Sequence, residues 1–301
     1  MMGSEKGMAL VITLLILAMI TAMVVEFVYG VYTTNAGLYN WREAQKLSLV
    51  AKSGISLTTK MISENQNRYS YTYPGSVEMP VENILKGFSG KVVIRVVDEN
   101  GKFNLNSLIW PNGTTNEVVF NSFIRLLKKL NLDENIAYTV ADWIDRDLEP
   151  RRGDSEKGAK NDYLDSVDEL LLIKGIDSQS YDKLLPFVTA YGTEQAYNNN
   201  LININTASRT IIMSLDDDIT ETLAERVIKY RALEPFNRVS DLVKVAGFEG
   251  PLGQSLMNKI TVKSSTFRIT SMAEEDRIKR VIECVIAVKG DGFLISYWQE
   301  T

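Results

Sequence analysis

The chain has no histidine and a single cysteine, Cys284, among its 301 residues. The first absence removes the usual general base, the histidine of a catalytic triad and the commonest metal ligand together. The second excludes an intramolecular disulfide and leaves any thiol chemistry without a base beside it. Cys284 lies in the alternating stretch Val281 to Val288 and reads as a buried strand thiol. A cationic excess is also missing: 33 Lys and Arg stand against 38 Asp and Glu, for a net charge of -5. A general nucleic-acid surface needs a positive face that displaces counterions, so this balance argues against one. There is no phosphate-cradling glycine loop and no nucleophile elbow, so most enzyme classes lose their candidates. The lack of disulfides leaves a periplasmic location open, because a chain of this length can rely on its core.

What is present begins at the N-terminus. Met1 to Gly7 form a polar leader, and the eighteen residues from Met8 to Val25 are apolar apart from Thr13 and Thr21; charge returns at Glu26. As a helix this run covers roughly 27 Å, close to a bilayer's hydrocarbon thickness. A secretory signal peptide fits poorly, since the n-region carries only Lys6 and the amino terminus, and no small-x-small cleavage site precedes Glu26. An uncleaved signal anchor is the second reading. The third is a cut on the cytoplasmic side, between Gly7 and Met8, that leaves the apolar helix on the mature protein.

Helical character continues to about Asn65, with Leu47, Val50, Gly54, Leu57 and Met61 spaced to share one face. Glycines at 30, 37 and 54 predict a gentle bend or local melting. Tyr69 to Pro80 reads as a loop. Lys91 to Asp98 predicts a strand ending at the turn Glu99-Asn100-Gly101-Lys102. Thr266 to Met272, Arg277 to Val288 and Phe293 to Gln299 predict an antiparallel meander, with turns at Glu274-Glu275-Asp276 and at 289–292. Between the strands, Phe103 to Lys263 reads almost wholly helical. Phe120, Phe123, Leu127 and Leu130 mark one helix face, and Ile136, Val140 and Ile144 the next. Helix-turn-helix pairs are expected over Ser166 to Phe187, turning at Lys174-Gly175-Ile176, and over Thr206 to Ile260. The fold class is therefore α+β: an N-terminal membrane helix and a small antiparallel sheet, with a large helical domain inserted. The expected divisions are 1–7, 8–65, 66–102 with 264–301, and 103–263.

Two stretches could carry chemistry. Nine carboxylates and five Lys or Arg fall between Asp142 and Asp168. Asp145, Asp147, Glu149 and Glu156 occupy positions 1, 3, 5 and 12 of a calcium-loop window, but Pro150 stands where an EF-hand needs glycine. A calcium site of another geometry fits, as does a solvated acidic loop with Arg146, Arg151 and Arg152 as counterions. A third reading makes the carboxylates acid and base, or magnesium ligands, of a hydrolase. The other stretch, Ile202-Asn203-Ile204-Asn205-Thr206-Ala207-Ser208 with Ala224, Ile228, Tyr230-Arg231 and Pro235-Phe236, resembles the helix-hairpin-helix unit of competence DNA receptors, in which a glycine hairpin offers N–H groups to phosphate. Here Asp216-Asp217-Asp218 replaces that glycine and would repel a phosphodiester backbone. Leu201 to Lys263 holds eight cations and eight anions, and Asp165 to Gly192 two against five.

The junction Lys6-Gly7-Met8-Ala9-Leu10 resembles the cleavage site of type IV pilins and type II secretion pseudopilins. With Asp98-Glu99-Asn100-Gly101-Lys102-Phe103-Asn104-Leu105-Asn106, Asp142-Trp143-Ile144-Asp145-Arg146-Asp147, Asn203-Ile204-Asn205-Thr206-Ala207 and the terminal meander, nearly the whole chain resembles the K-type minor pseudopilins of the type II (general) secretion pathway. The resemblance implies a non-enzymatic subunit with a pilin-like core, an inserted domain with helix-hairpin-helix or SAM-like units, and calcium near the Asp-rich loop. It implies assembly with the I and J minor pseudopilins and the major pseudopilin, at the tip of a periplasmic pseudopilus. It also implies a single pass of the inner membrane, the C-terminal part in the periplasm, cleavage by prepilin peptidase, and N-methylation. Carried over are Gly7 and Met8 as processing site, and Asp145, Asp147 and Glu156 as calcium ligands, with Asp142 and Asp162 as further candidates. Major pilins carry Glu at the fifth mature position; here it is Ile12. A buried carboxylate is costly unless paired, so a subunit with no neighbour ahead is better without it.

Overall fold

The computed structural model describes residues 3–73, 76–81, 88–192, 200–290 and 292–301. Its longest element is helix α1, Gly3–Arg68, unbroken through all three glycines expected to bend it. Residues 7–42 are exposed along their length, and this helix alone among the described residues is long and apolar enough to cross a membrane. Beyond Glu43 the helix lies on a sheet. There the buried face is Leu47, Val50, Ala51, Gly54, Ile55 and Thr58, whereas Leu57 and Met61 point to solvent. At 100° per residue, the step from 54 to 58 holds the stripe and the step from 54 to 57 leaves it. Gly54 sits at the closest approach: a Cβ there would stand 2.5 Å from Ser271 Oγ and 3.3 Å from Ile94 Cδ1.

The sheet has five strands in the order β1-β2-β7-β8-β9, all antiparallel. They are β1 (Ser76–Val81), β2 (Lys91–Asp98), β7 (Thr266–Glu275), β8 (Ile278–Lys289) and β9 (Gly292–Glu300). The expected meander is β7 to β9, with its first turn tightened to Asp276-Arg277, where Asp276 takes a positive φ of 54° that Asp tolerates. The second turn includes Asp291, outside the described residues. Part of the segment read as a loop is strand β1, which pairs with β2. It holds Pro80, and an edge strand is where a sheet accepts proline; Pro74 and Gly75 lie outside the described residues. Val92, Ile94, Ile269, Ile282, Cys284 and Ile286 close one core against α1. Burial pushes the Cys284 thiol up to about 12, with Glu283 adding to the shift and Arg268 opposing it, so the thiol is inert at neutral pH.

A second core lies in the stretch between β2 and β7. Among the described residues its regular elements are helices and two short parallel ladders: β3 (Phe103–Asn104) with β4 (Val188–Thr189), and β5 (Ile202–Asn203) with β6 (Ile260–Thr261). The helices are α2 (Glu117–Lys129), α3 (Asn135–Ile144), α4 (Ser178–Leu184), α5 (Arg209–Ser214), α6 (Glu221–Leu233) and α7 (Pro251–Leu256). The first helix of the pair expected over Ser166 to Phe187 is a 3-10 segment, Val167–Leu172, and a second 3-10 segment, Val239–Lys244, precedes α7. The stretch Thr206 to Ile260 therefore holds two hairpins rather than one.

These ladders mark an internal repeat. Asn106 Nδ2 donates to the carbonyls of Leu164 and Ala190 and its Oδ1 accepts from Leu164 N–H; Asn205 does the same with Phe236, Val262 and Phe236 N–H. Asn104 and Asn203 each accept a backbone N–H two residues on. Gly175 and Gly247 turn the equivalent hairpins at φ of 92° and 100°. Both asparagine pairs are buried with their amides satisfied, which a packed interior requires.

The repeat joins the sheet through Asp98-Glu99-Asn100. Asp98 is buried and accepts from Ser264 Oγ and Thr206 Oγ1, each at 2.6 Å, from Asn203 Nδ2 at 3.0 Å and from Asn100 N–H at 2.8 Å. Glu99 meets Lys102 Nζ and Arg268 Nε, each at 3.0 Å. Arg268 also pairs with Glu283 and lies over the rings of Tyr191 and Tyr297, at 5.3 and 5.8 Å. Burial works against charge on both partners, yet attraction prevails: Glu99 and Glu283 hold Arg268 charged, and Lys102 with Arg268 keeps Glu99 below the usual carboxylate range.

Candidate metal centre

Helix α3 buries Ile136, Ala137, Val140, Ala141 and Ile144 on one face; Asp142 stands nearly opposite them at 100° per residue and is buried where Arg151 and Ser155 of the following loop meet it. The chain leaves the helix at Asp145, whose N–H still donates to Ala141 O, and then runs without regular structure to about Asp165. Three single turns, at residues 152–155, 154–157 and 156–159, fold it back. Its far end is fixed by Leu164, held at both backbone groups by Asn106.

Inside this loop Asp145, Asp147 and Glu156 bring oxygens within 4.8 Å of one another. Asp145 is buried, Glu156 half-buried and Asp147 exposed. Asp145 Oδ1, both carboxylate oxygens of Glu156 and Asn161 Oδ1 are buried without a hydrogen bond of ordinary geometry. Burial raises the Glu156 pKa and Asp142 adds to it, with the neighbouring Asn161 amide tempering the effect. Unpartnered buried carboxylate oxygens are costly, and a set made only of oxygens suits a hard cation such as calcium. The residues present therefore fit such an ion.

The other expected ligands lie elsewhere. Asp142 gives both oxygens to Arg151 and Ser155: Arg151 Nη1 donates to Oδ1 at 2.7 Å, Arg151 N–H to Oδ2 at 3.0 Å, and Ser155 Oγ to Oδ2. Asp162 is exposed, with its Oδ1 accepting from Tyr163 N–H and lying 3.9 Å from Arg146. Glu149, position 5 of the calcium-loop window, is exposed and only its N–H reaches Asp147 Oδ1. Ser155 and Asn161 escaped the sequence reading, and Arg151, read there as a counterion of a solvated loop, instead pairs with the buried Asp142 and Asp145. Their signal lay in the return of a cation and two small polar residues to a carboxylate-rich loop, which becomes specific only once the loop closes.

Gly7 and Met8 stand on the exposed N-terminal part of α1. In the second half of the repeat, Asp217 and Asp218 point to solvent between α5 and α6, and Arg125 pairs with Asp217 at 3.2 Å.

Residues 101–193 and 202–263 match two family models, each described as type II secretion system (T2SS), protein K, and together they span just over half the chain. The chain is 26% identical over 269 residues to type II secretion system protein K of Pseudomonas aeruginosa, covering 81% of this chain and 78% of that one. It is 22% identical over 316 residues to the Dickeya chrysanthemi protein of the same name, covering 87% and 88%. The fold is similar to a chain in the crystal structure of the GspK-GspI-GspJ complex from enterotoxigenic Escherichia coli, with a TM-score of 0.68 and 22% identity over 86% of this chain and 97% of that one. With two models of one family matched over more than half of its length, the chain belongs to the type II secretion system protein K family.

Proposed function

We propose that this chain is a non-enzymatic minor pseudopilin that caps or initiates the periplasmic pseudopilus and supports protein secretion from the inner membrane. The observation that carries the reading is α1. Its apolar part suits a bilayer, and its distal part packs on a small sheet, leaving an exposed length between them that calls for neighbouring helices. The similar Escherichia coli chain is part of a GspK-GspI-GspJ complex. By the same reading, this chain assembles with I- and J-type minor pseudopilins above the major pseudopilin, and its inserted domain blocks further stacking.

Prepilin peptidase cuts after Gly7 and Met8 is then N-methylated. Determining the N-terminus of the membrane form tests this: a chain beginning at methylated Met8 is expected. One beginning at Met1, or beyond Glu26, overturns it. Co-purification with I- and J-type pseudopilins is the matching test of assembly.

Asp145, Asp147 and Glu156, with Asn161 beside them, hold a calcium ion. The ion neutralises three clustered carboxylates and fixes an otherwise irregular loop. Asp142 and Asp162 support the loop from outside this set. A membrane-tethered DNA receptor is the weaker reading, because the hairpin that would meet phosphate presents Asp217 and Asp218.

A further inference from the structure

A cation already stands against the proposed cation site. Arg151 pairs through Nη1 with Asp142 and with Oδ2 of Asp145, its N–H donates to Asp142, and its Nε reaches Thr115 Oγ1 at 3.3 Å. Both carboxylates are fully buried. Asp145, whose carboxylate clusters with Asp147 and Glu156, is thus divided: Oδ2 faces Arg151, while Oδ1 is buried without a partner. Asp142 has no oxygen left to offer, since Arg151 and Ser155 take both.

A guanidinium so placed has two effects of opposite sign. It neutralises buried carboxylate charge and holds the loop shut when no metal is bound. It also sets a positive charge against the very carboxylate whose free oxygen would bind the metal, and divalent affinity in oxygen sites follows the charge of the ligand set. We propose that Arg151 is a tethered counter-cation: it keeps the loop folded without metal and weakens the binding of a divalent ion at Asp145, Asp147 and Glu156. Asp142 is the anchor that positions it. The inference rests on the calcium reading of the site.

The test uses the full chain in detergent, with calcium chloride titrated calorimetrically and thermal unfolding followed with and without it. The proteins are wild type, Arg151→Gln, Asp142→Asn/Arg151→Gln and Asp147→Asn. Arg151→Gln is expected to bind calcium about tenfold more tightly, to unfold at a lower temperature without calcium, and to gain more from its addition. The double variant, which leaves no buried unpaired carboxylate at position 142, recovers the part of the metal-free stability lost there, though not the part lost at Asp145, and keeps the tighter binding; it gives the same reading if the single variant does not fold. Equal or weaker calcium affinity in a folded variant lacking Arg151 overturns the proposal and leaves Arg151 as a structural ion pair. If the wild type binds no calcium and Asp147→Asn is indistinguishable from it, the calcium reading itself fails, and this inference with it.

Discussion

Arg268 shows how much one residue can depend on its partner. It faces Glu99, a carboxylate with 1% of its surface exposed and one oxygen, Oε2, without a partner. Removing the guanidinium would leave that charge buried with Lys102 alone, so Arg268→Ala is expected to cost about 3–5 kcal/mol in denaturant unfolding. The pH dependence has a definite sign. Against the effect of burial, Lys102 and Arg268 hold the folded pKa of Glu99 below its ordinary value, so the unfolded chain binds the proton more readily. This contribution is complete above the unfolded pKa and is lost as pH falls through the lower folded value. In Arg268→Ala the folded pKa of Glu99 rises, so this acid-dependent share of the stability is expected to shrink, which unfolding free energies measured across that pH range would detect. Arg and Glu at these positions are visible in the sequence, but their pairing is not, because 169 residues separate them.

At the scale of elements, the hairpins of the repeat rest on backbone geometry. Gly247 has a φ of 100°, and a Cβ there would collide with Leu223 Cδ2. Gly247→Ala is therefore expected to destabilise the chain by about 1–3 kcal/mol, part from φ strain and part from crowding. A double-mutant cycle with Leu223→Ala separates the two: only the crowding share is relieved. Strand and helix periodicity were legible at this scale. Lys91–Asp98 emerges with the boundaries expected of it, and the faces of α2 and α3 are those marked by Phe120, Phe123 and Leu127 and by Ile136, Val140 and Ile144. Strand β1 was hidden because proline and neighbouring turn residues obscure an edge strand, whose pairing depends on β2. The repeat was hidden too, although Phe103-Asn104-Leu105-Asn106 and Ile202-Asn203-Ile204-Asn205 carry its pattern in plain view.

For the whole molecule, the proposed tip position makes a claim about Ile12. If the inserted domain alone prevents stacking, Ile12→Glu leaves the chain confined to the filament tip even though it restores the residue of a shaft subunit. Crosslinks between copies of this chain spaced along the shaft would overturn that account. The carboxylate itself is expected to be tolerated only where a neighbour's amine meets it, since an unpaired one in the bilayer costs several kcal/mol.

The sequence by itself determined the apolar length of α1, the strands of the meander and the helical character of the insert, because each follows from local periodicity and hydrophobic transfer. It also placed Asp145, Asp147 and Glu156 in one loop. Tertiary structure decided which carboxylates converge: Asp142 turned to Arg151 and Ser155, Asp162 stayed outside, and Asn161 moved beside Glu156. A loop without regular structure has no period from which to read its contacts. Its shape comes from distant anchors, Asn106 on Leu164 and Asp142 on Arg151, that exist only once the chain has folded.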